Sequence, residues 1–139
     1  MTELPFEEIE HTADWAIRVR GRDLPELFAR AAHGMFSLLA DLSEVTTTRE
    51  LDLDLRALDY ETLLVDWLNE LLYQSEEKHV LFTSFEIHEI THQDAARLHA
   101  TVTGGAVAEL KKTIKAATFS SLAIEQGPDG HSVEIVFDV

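Results

Sequence analysis

Apolar residues recur along this chain with two different periods, and the order of those periods limits the folds open to it. In "LPELFARAAHGMFSLLAD", Leu24, Phe28, Ala31, Met35 and Leu38 return every three or four residues, which predicts an amphipathic helix ending near Asp41. Asp23 caps it, with Pro25 in the first turn and Glu26 as the capping-box partner. A second helix is predicted in "YETLLVDWLNELLYQSEEKH", with Asp59 as its N-cap and Leu64, Trp67, Leu68 and Leu71 as its apolar stripe. Trp67 therefore reads as a core residue and not as an aromatic platform for bases.

Outside the helices the period is two. "WAIRVRG" sends Trp15, Ile17 and Val19 to one face and Ala16, Arg18 and Arg20 to the other, and "RELDLDL" alternates Leu51, Leu53 and Leu55 with Asp52 and Asp54. "LFTSFEIHEI" and "ARLHATVTG" flank the turn "THQDA" and predict a hairpin, with Phe85 and Ile87 facing away from Glu86 and His88. "TIKAATFSSLAIEQ" and "HSVEIVFDV" read as two closing strands joined by "GPDG", while "VAELKK" reads as a short helical turn. Two helices and about six strands, in runs and not in strict alternation, predict an α+β fold. Its form is a largely antiparallel β-sheet with two main helices packed on one face, in a single two-layer domain spanning 1–139.

A chain of 139 residues with 45% hydrophobic content can bury a core of its own. It contains no cysteine, which excludes disulfides and thiolate chemistry and suits a reducing compartment. "MTELPFEEIEH" has no basic segment leading into an apolar run, and no stretch is apolar enough to span a bilayer, so the sequence predicts a soluble cytoplasmic protein without a membrane partner. The 26 acidic and 11 basic residues give a net charge of -15. Such a field repels phosphate backbones and favours cations or a basic protein surface, although the same acidity also serves solubility.

The chemistry-bearing residues gather at the chain's two ends. In the last strand Val133, Ile135 and Phe137 share one face, leaving Ser132, Glu134, Val136 and Asp138 on the other, and the main-chain carboxylate of Val139 follows. If Asp14, at the mouth of "WAIRVRG", comes beside them, each like-charge pair at ~4 Å costs roughly 4 kcal/mol at an effective dielectric near 20. A cation would offset that cost, and all-oxygen ligands favour Ca²⁺, Mg²⁺ or Mn²⁺ over zinc. The residues alone leave a second reading open, in which Asp14 caps the strand through local backbone hydrogen bonds and Asp138 is simply solvated. His11 reads as a hydrogen-bonding or partner-contact residue. Of the histidines at 33, 79, 88, 92, 99 and 131, only His88 and His92 are four apart, and they fall across a strand and its turn and not on a helix, so all six read as solvated. Gly104 and Gly105 are not followed by the residues of a phosphate-binding loop, so no GTP site is expected. No nucleophile stands beside a histidine and an acid, so no catalytic residue is assigned.

Four blocks, "EHTADWAIRVRG", "AAHGMFSLLADLSEV", "LLVDWLNELLYQSEEK" and "IKAATF…IVFDV", occur in an order and spacing that resembles the archease family over nearly the whole chain. The resemblance implies an accessory activator of the RtcB-type RNA ligase, which joins 2′,3′-cyclic phosphate or 3′-phosphate ends to 5′-hydroxyls in tRNA splicing and RNA repair. The activator promotes guanylylation of the ligase's own histidine and thereby repeated turnover; it contacts tRNA or broken RNA only indirectly. It further implies a divalent metal held by Asp14, Asp138 and Val139, with calcium expected in a structure. Many relatives carry a Tyr-His pair where this chain has Phe119 and Ser120, so a contact depending on that histidine is not carried over. Lys111, Lys112 and Lys115 form the one dense basic cluster and read either as a contact to RNA or ligase or as solvated charge. Two other functions fit the same residues: a chaperone-like binding module for RNA-modifying enzymes, and a metal-dependent hydrolase acting through a metal-bound water.

Overall fold

The computed structural model describes residues 5–10, 15–106, 110–120 and 122–139. Among them, β1 (Phe6–Glu10), β2 (Trp15–Gly21) and α1 (Leu24–Leu39) are followed by β3 (Arg49–Ala57) and α2 (Tyr60–Lys78). A long hairpin of β4 (Leu81–His92) and β5 (Ala96–Gly105) comes next, and the chain closes with β6 (Ala116–Ala117), β7 (Glu125–Gly127) and β8 (Gly130–Asp138). The α+β class and the antiparallel pairing hold throughout, but the strands divide between two sheets. One has the order β1-β2-β8-β6, with β7 also on β8, and the other has the order β3-β5-β4.

Both helices begin where their caps predict. Asp23 accepts from the Glu26 amide at 2.9 Å and Asp59 from the Thr62 amide at 2.8 Å. The return arm of the first cap is displaced by one residue: Glu26 accepts from the Arg22 amide at 3.0 Å and also takes the Arg22 guanidinium. Helix α1 buries Leu27, Phe28, Ala31, Ala32, Met35, Phe36, Leu38 and Leu39, more than a single stripe, because it touches β1 and β2 on one side and β4 on the other. Helix α2 likewise reaches β3, β4 and β5 and, in the first sheet, β6. The helices thus share their apolar sides between two sheets, and Trp67 lies between them with its indole N–H donating to the Phe28 carbonyl at 3.0 Å. No helix among the described residues is long and apolar enough to cross a membrane.

Two local readings are corrected, and one strand was not expected. The segment "TIKAATFSSLAIEQ" is not one strand: only Ala116–Ala117 and Glu125–Gly127 pair. Between them the backbone finds other partners, with Ser120 N–H on the Thr118 hydroxyl and Leu122 N–H on the Phe119 carbonyl, so a loop satisfies groups that a ladder would have used. Of "VAELKK", residues 107–109 lie outside the described ones, and Leu110 to Lys112 form no helix. Strand β1 carries no alternation strong enough to announce it and forms as the edge partner of β2. Gly104 and Gly105 have a packing role: a Cβ on the first would strike the Leu81 carbonyl oxygen and on the second the Thr46 carbonyl oxygen.

The caps make the fold sensitive to acid. Hydrogen bonds from the Thr62 backbone hold Asp59 below its usual carboxylate range, those from the Arg22 backbone and side chain do so for Glu26, and the Ser43 hydroxyl and backbone do so for Asp41. A depressed folded value contributes stability above the ordinary carboxylate range and loses it as pH falls through the folded value. The urea midpoint should therefore fall between about pH 5 and pH 2. Asp59→Asn, which keeps a capping oxygen without the charge, should flatten that slope in the same titration.

Candidate metal centre at the end of β8

Strand β8 brings the chain's last residues to the first sheet between β2 and β6. Trp15 pairs with Phe137, Ala117 with Phe137 from the other side, and Ala116 with Asp138. Phe137 is fully buried, which anchors the strand one residue before its exposed end. The Asp138 side chain is exposed, and its main-chain carbonyl accepts from the Lys115 amide at 2.8 Å. Among the described residues no group donates to its carboxylate. An exposed carboxylate of this kind, followed by Val139 at 38% exposure, suits a hard cation that keeps part of its water. Asp14 and His11 lie outside the described residues.

The neighbouring strand β6 is held from α2 by one amide. Asn69 accepts from the Ala117 N–H at 2.7 Å and donates to the Ala117 carbonyl at 3.1 Å, and Thr118 adds two bonds to the Val136 carbonyl, at 3.0 Å from its N–H and 2.9 Å from its hydroxyl. Asn69→Leu leaves both Ala117 groups without their partner and should cost about 1–3 kcal/mol, read as a lower urea midpoint. An unchanged midpoint would show that water replaces the amide.

The basic cluster adjoins this end of the sheet. Lys112 sets its Nζ 3.6 Å from the centre of the Trp15 ring and 3.7 Å from Glu8 Oε1, while the Lys111 amide donates to the Leu39 carbonyl at 2.6 Å. Lys112 is thus held on an aromatic face, whereas Lys111 and Lys115 expose their side chains. Phe119 is 56% exposed.

A second grouping was not legible in spacing. His88 and His99, read from the sequence as solvated, bring their rings to 4.8 Å between centres, and Asp52 joins them on the outer face of the second sheet. The trace that could have revealed it is a slip in phase. Phe85 and Ile87 point inward at odd numbers and Ile90 at an even one, which requires an extra residue between them. That residue is His88, at the register shift between Ile87 and Glu89.

Two antiparallel sheets sharing two helices, with an exposed acidic strand end, define a small acidic α+β protein that presents charge at its sheet ends. Residues 6–139 match the family model of the archease protein family, and the chain belongs to that family. It is 33% identical to the protein archease of Methanosarcina acetivorans, over 96% of this chain and 95% of that one, and 34% identical to that of Saccharolobus islandicus, over 96% and 98%. The solution structure of protein 1598 from Methanobacterium thermoautotrophicum superposes with a TM-score of 0.85 at 30% identity, covering 97% of this chain and 99% of that one. The crystal structure of an archease, described as a possible chaperone, from Thermotoga maritima shares the fold with a TM-score of 0.61 at 24% identity, covering 96% of each chain.

Proposed function

We propose that this protein is an accessory activator of an RtcB-type RNA ligase, acting in the cytoplasm in tRNA splicing or RNA repair and promoting ligase guanylylation and repeated turnover. The observation that carries the reading is the register of the first sheet within a family match spanning nearly the whole chain. Asp14 is bonded to Trp15, Trp15 pairs with Phe137, and Phe137 is bonded to Asp138, an exposed carboxylate that nothing among the described residues occupies. Asp14, Asp138 and Val139 would hold one divalent ion through oxygen, Ca²⁺ or the smaller Mg²⁺ and Mn²⁺. Such an ion would supply a positive charge able to meet phosphate groups at the partner's surface, on a protein whose net charge is otherwise -15. The chain's own contribution is placement: a buried Phe137 and the Asn69 clamp fix the strand end, and Lys112 on Trp15 borders it. GTP and RNA are bound by the ligase in this reading.

The test is multiple-turnover RNA ligation with limiting ligase, GTP and Mn²⁺, with and without this protein. Added protein should raise the yield beyond one product per ligase. A yield that stays at one per ligase would overturn the activator reading and leave the chaperone-like alternative, which the exposed Phe119 and Leu110 favour and which suppression of ligase aggregation would measure.

A further inference from the structure

We propose that Asp52, His88 and His99 form a second cation site, for a divalent ion of the zinc type, on the outer face of the β3-β5-β4 sheet. One ligand atom from each side chain lies within 4.8 Å of the others. A four-coordinate ion with bonds near 2.0 Å needs ligand atoms about 3.3 Å apart, a closure that small side-chain rotations supply. Asp52 and His88 are exposed and His99, on the central strand, is half-buried, so the first two have room to turn toward the third once a cation replaces their hydrogen bonds to Thr101.

The present hydrogen bonds show how the site is poised. Thr101, opposite Asp52 on β5, donates its hydroxyl proton to Asp52 Oδ1, and His88 Nε2 lies 2.7 Å from the same hydroxyl oxygen. That hydroxyl has one proton, already committed to Asp52, so His88 Nε2 carries a proton and donates. The Thr101 hydroxyl is thus no nucleophile activated by His88. A cation would take the place these protons hold. His88 would then carry its proton on Nδ1, which faces Glu86 Oε1 at 3.8 Å. A carboxylate behind a ligating imidazole is the arrangement that fixes ring and tautomer in metal sites.

Two further features support it. The register shift at His88 places both His88 and Glu89 against His99, and bulges of this kind re-aim side chains toward sites. Asp54 stands opposite His99 on β3, so the second imidazole also has carboxylates on both flanks. Two nitrogens and one oxygen select a borderline ion over calcium or magnesium, which separates this site from the all-oxygen one at Asp138.

The test is titration with Co²⁺, whose visible absorption is strong in low-coordinate, nitrogen-bearing sites and weak in all-oxygen ones, on wild-type protein and the variants His88→Gln, His99→Gln and Asp138→Asn. The result expected is a strong band in wild type, kept in Asp138→Asn, with binding weakened at least about tenfold in either histidine variant. Zn²⁺ added to nitrogen-labelled wild-type protein should shift the ring signals of His88 and His99 and leave those of His131 in place, a reading that needs no variant. Equal Co²⁺ affinity in wild type and both histidine variants, a band lost in Asp138→Asn, or unmoved His88 and His99 signals would overturn the proposal.

Discussion

Asp138→Asn is expected to abolish the stimulation of a limiting RNA ligase while shifting the melting temperature by no more than about 2 °C, the size of an ordinary surface substitution. The residue is exposed, so its side chain contributes little packing, and removing the charge relieves repulsion from any neighbouring carboxylate. Wild type is expected to be stabilised by calcium, and the same variant should lose that stabilisation. An ion bound only to the folded state adds about 2.7 kcal/mol at a hundred times its dissociation constant, which a thermal scan with and without calcium resolves. Asp14→Asn should behave alike. If both variants stimulate the ligase as wild type does, the carboxylates have no part in the mechanism. If both lose the calcium response yet keep stimulation, the ion serves only to tie down the strand end.

Trp67→Ala should be the most damaging single change to the fold. The ring is fully buried and meets Phe85 edge-on at 6.4 Å between centres, and its N–H ends on the Phe28 carbonyl of the other helix. Truncation removes the largest side chain of a core that both sheets share and should cost about 3–5 kcal/mol. Set against a total of about 5–15 kcal/mol for a domain, that loss leaves a marginal protein. Urea unfolding followed by circular dichroism measures it, with Trp15 remaining as a fluorescent reporter of the first sheet. Trp67→Phe, which retains most of the volume but not the donor, should lie between the two. A loss below about 1 kcal/mol for the alanine variant would mean that the helices close over the gap.

Much of the fold is written locally. Asp23 and Asp59 announce the two helices because a capping side chain needs only an amide three residues on, and the apolar stripes follow from the helical period alone. The hairpin of β4 and β5 and the turn at Pro128 and Asp129 are local in the same sense. The break between β6 and β7 was not legible, because it depends on where Asn69 of α2 and Val136 of β8 offer hydrogen bonds to residues 117 and 118. For the candidate sites, the exposed face of Asp138 follows from strand alternation. The partnership of Trp15 with Phe137 joins opposite ends of the chain, and no local rule specifies it.

By itself, then, the sequence determined the two helices and their caps, the main alternating strands, the buried role of Trp67, and the concentration of charge at strand ends. Only the tertiary structure decided that the strands part into two sheets around shared helices, that β1 joins as an edge, and that Asp52, His88 and His99 meet. The reason is physical: period and capping are set by neighbours a few residues apart, whereas register between distant strands is set by the one packing that buries both apolar faces at once.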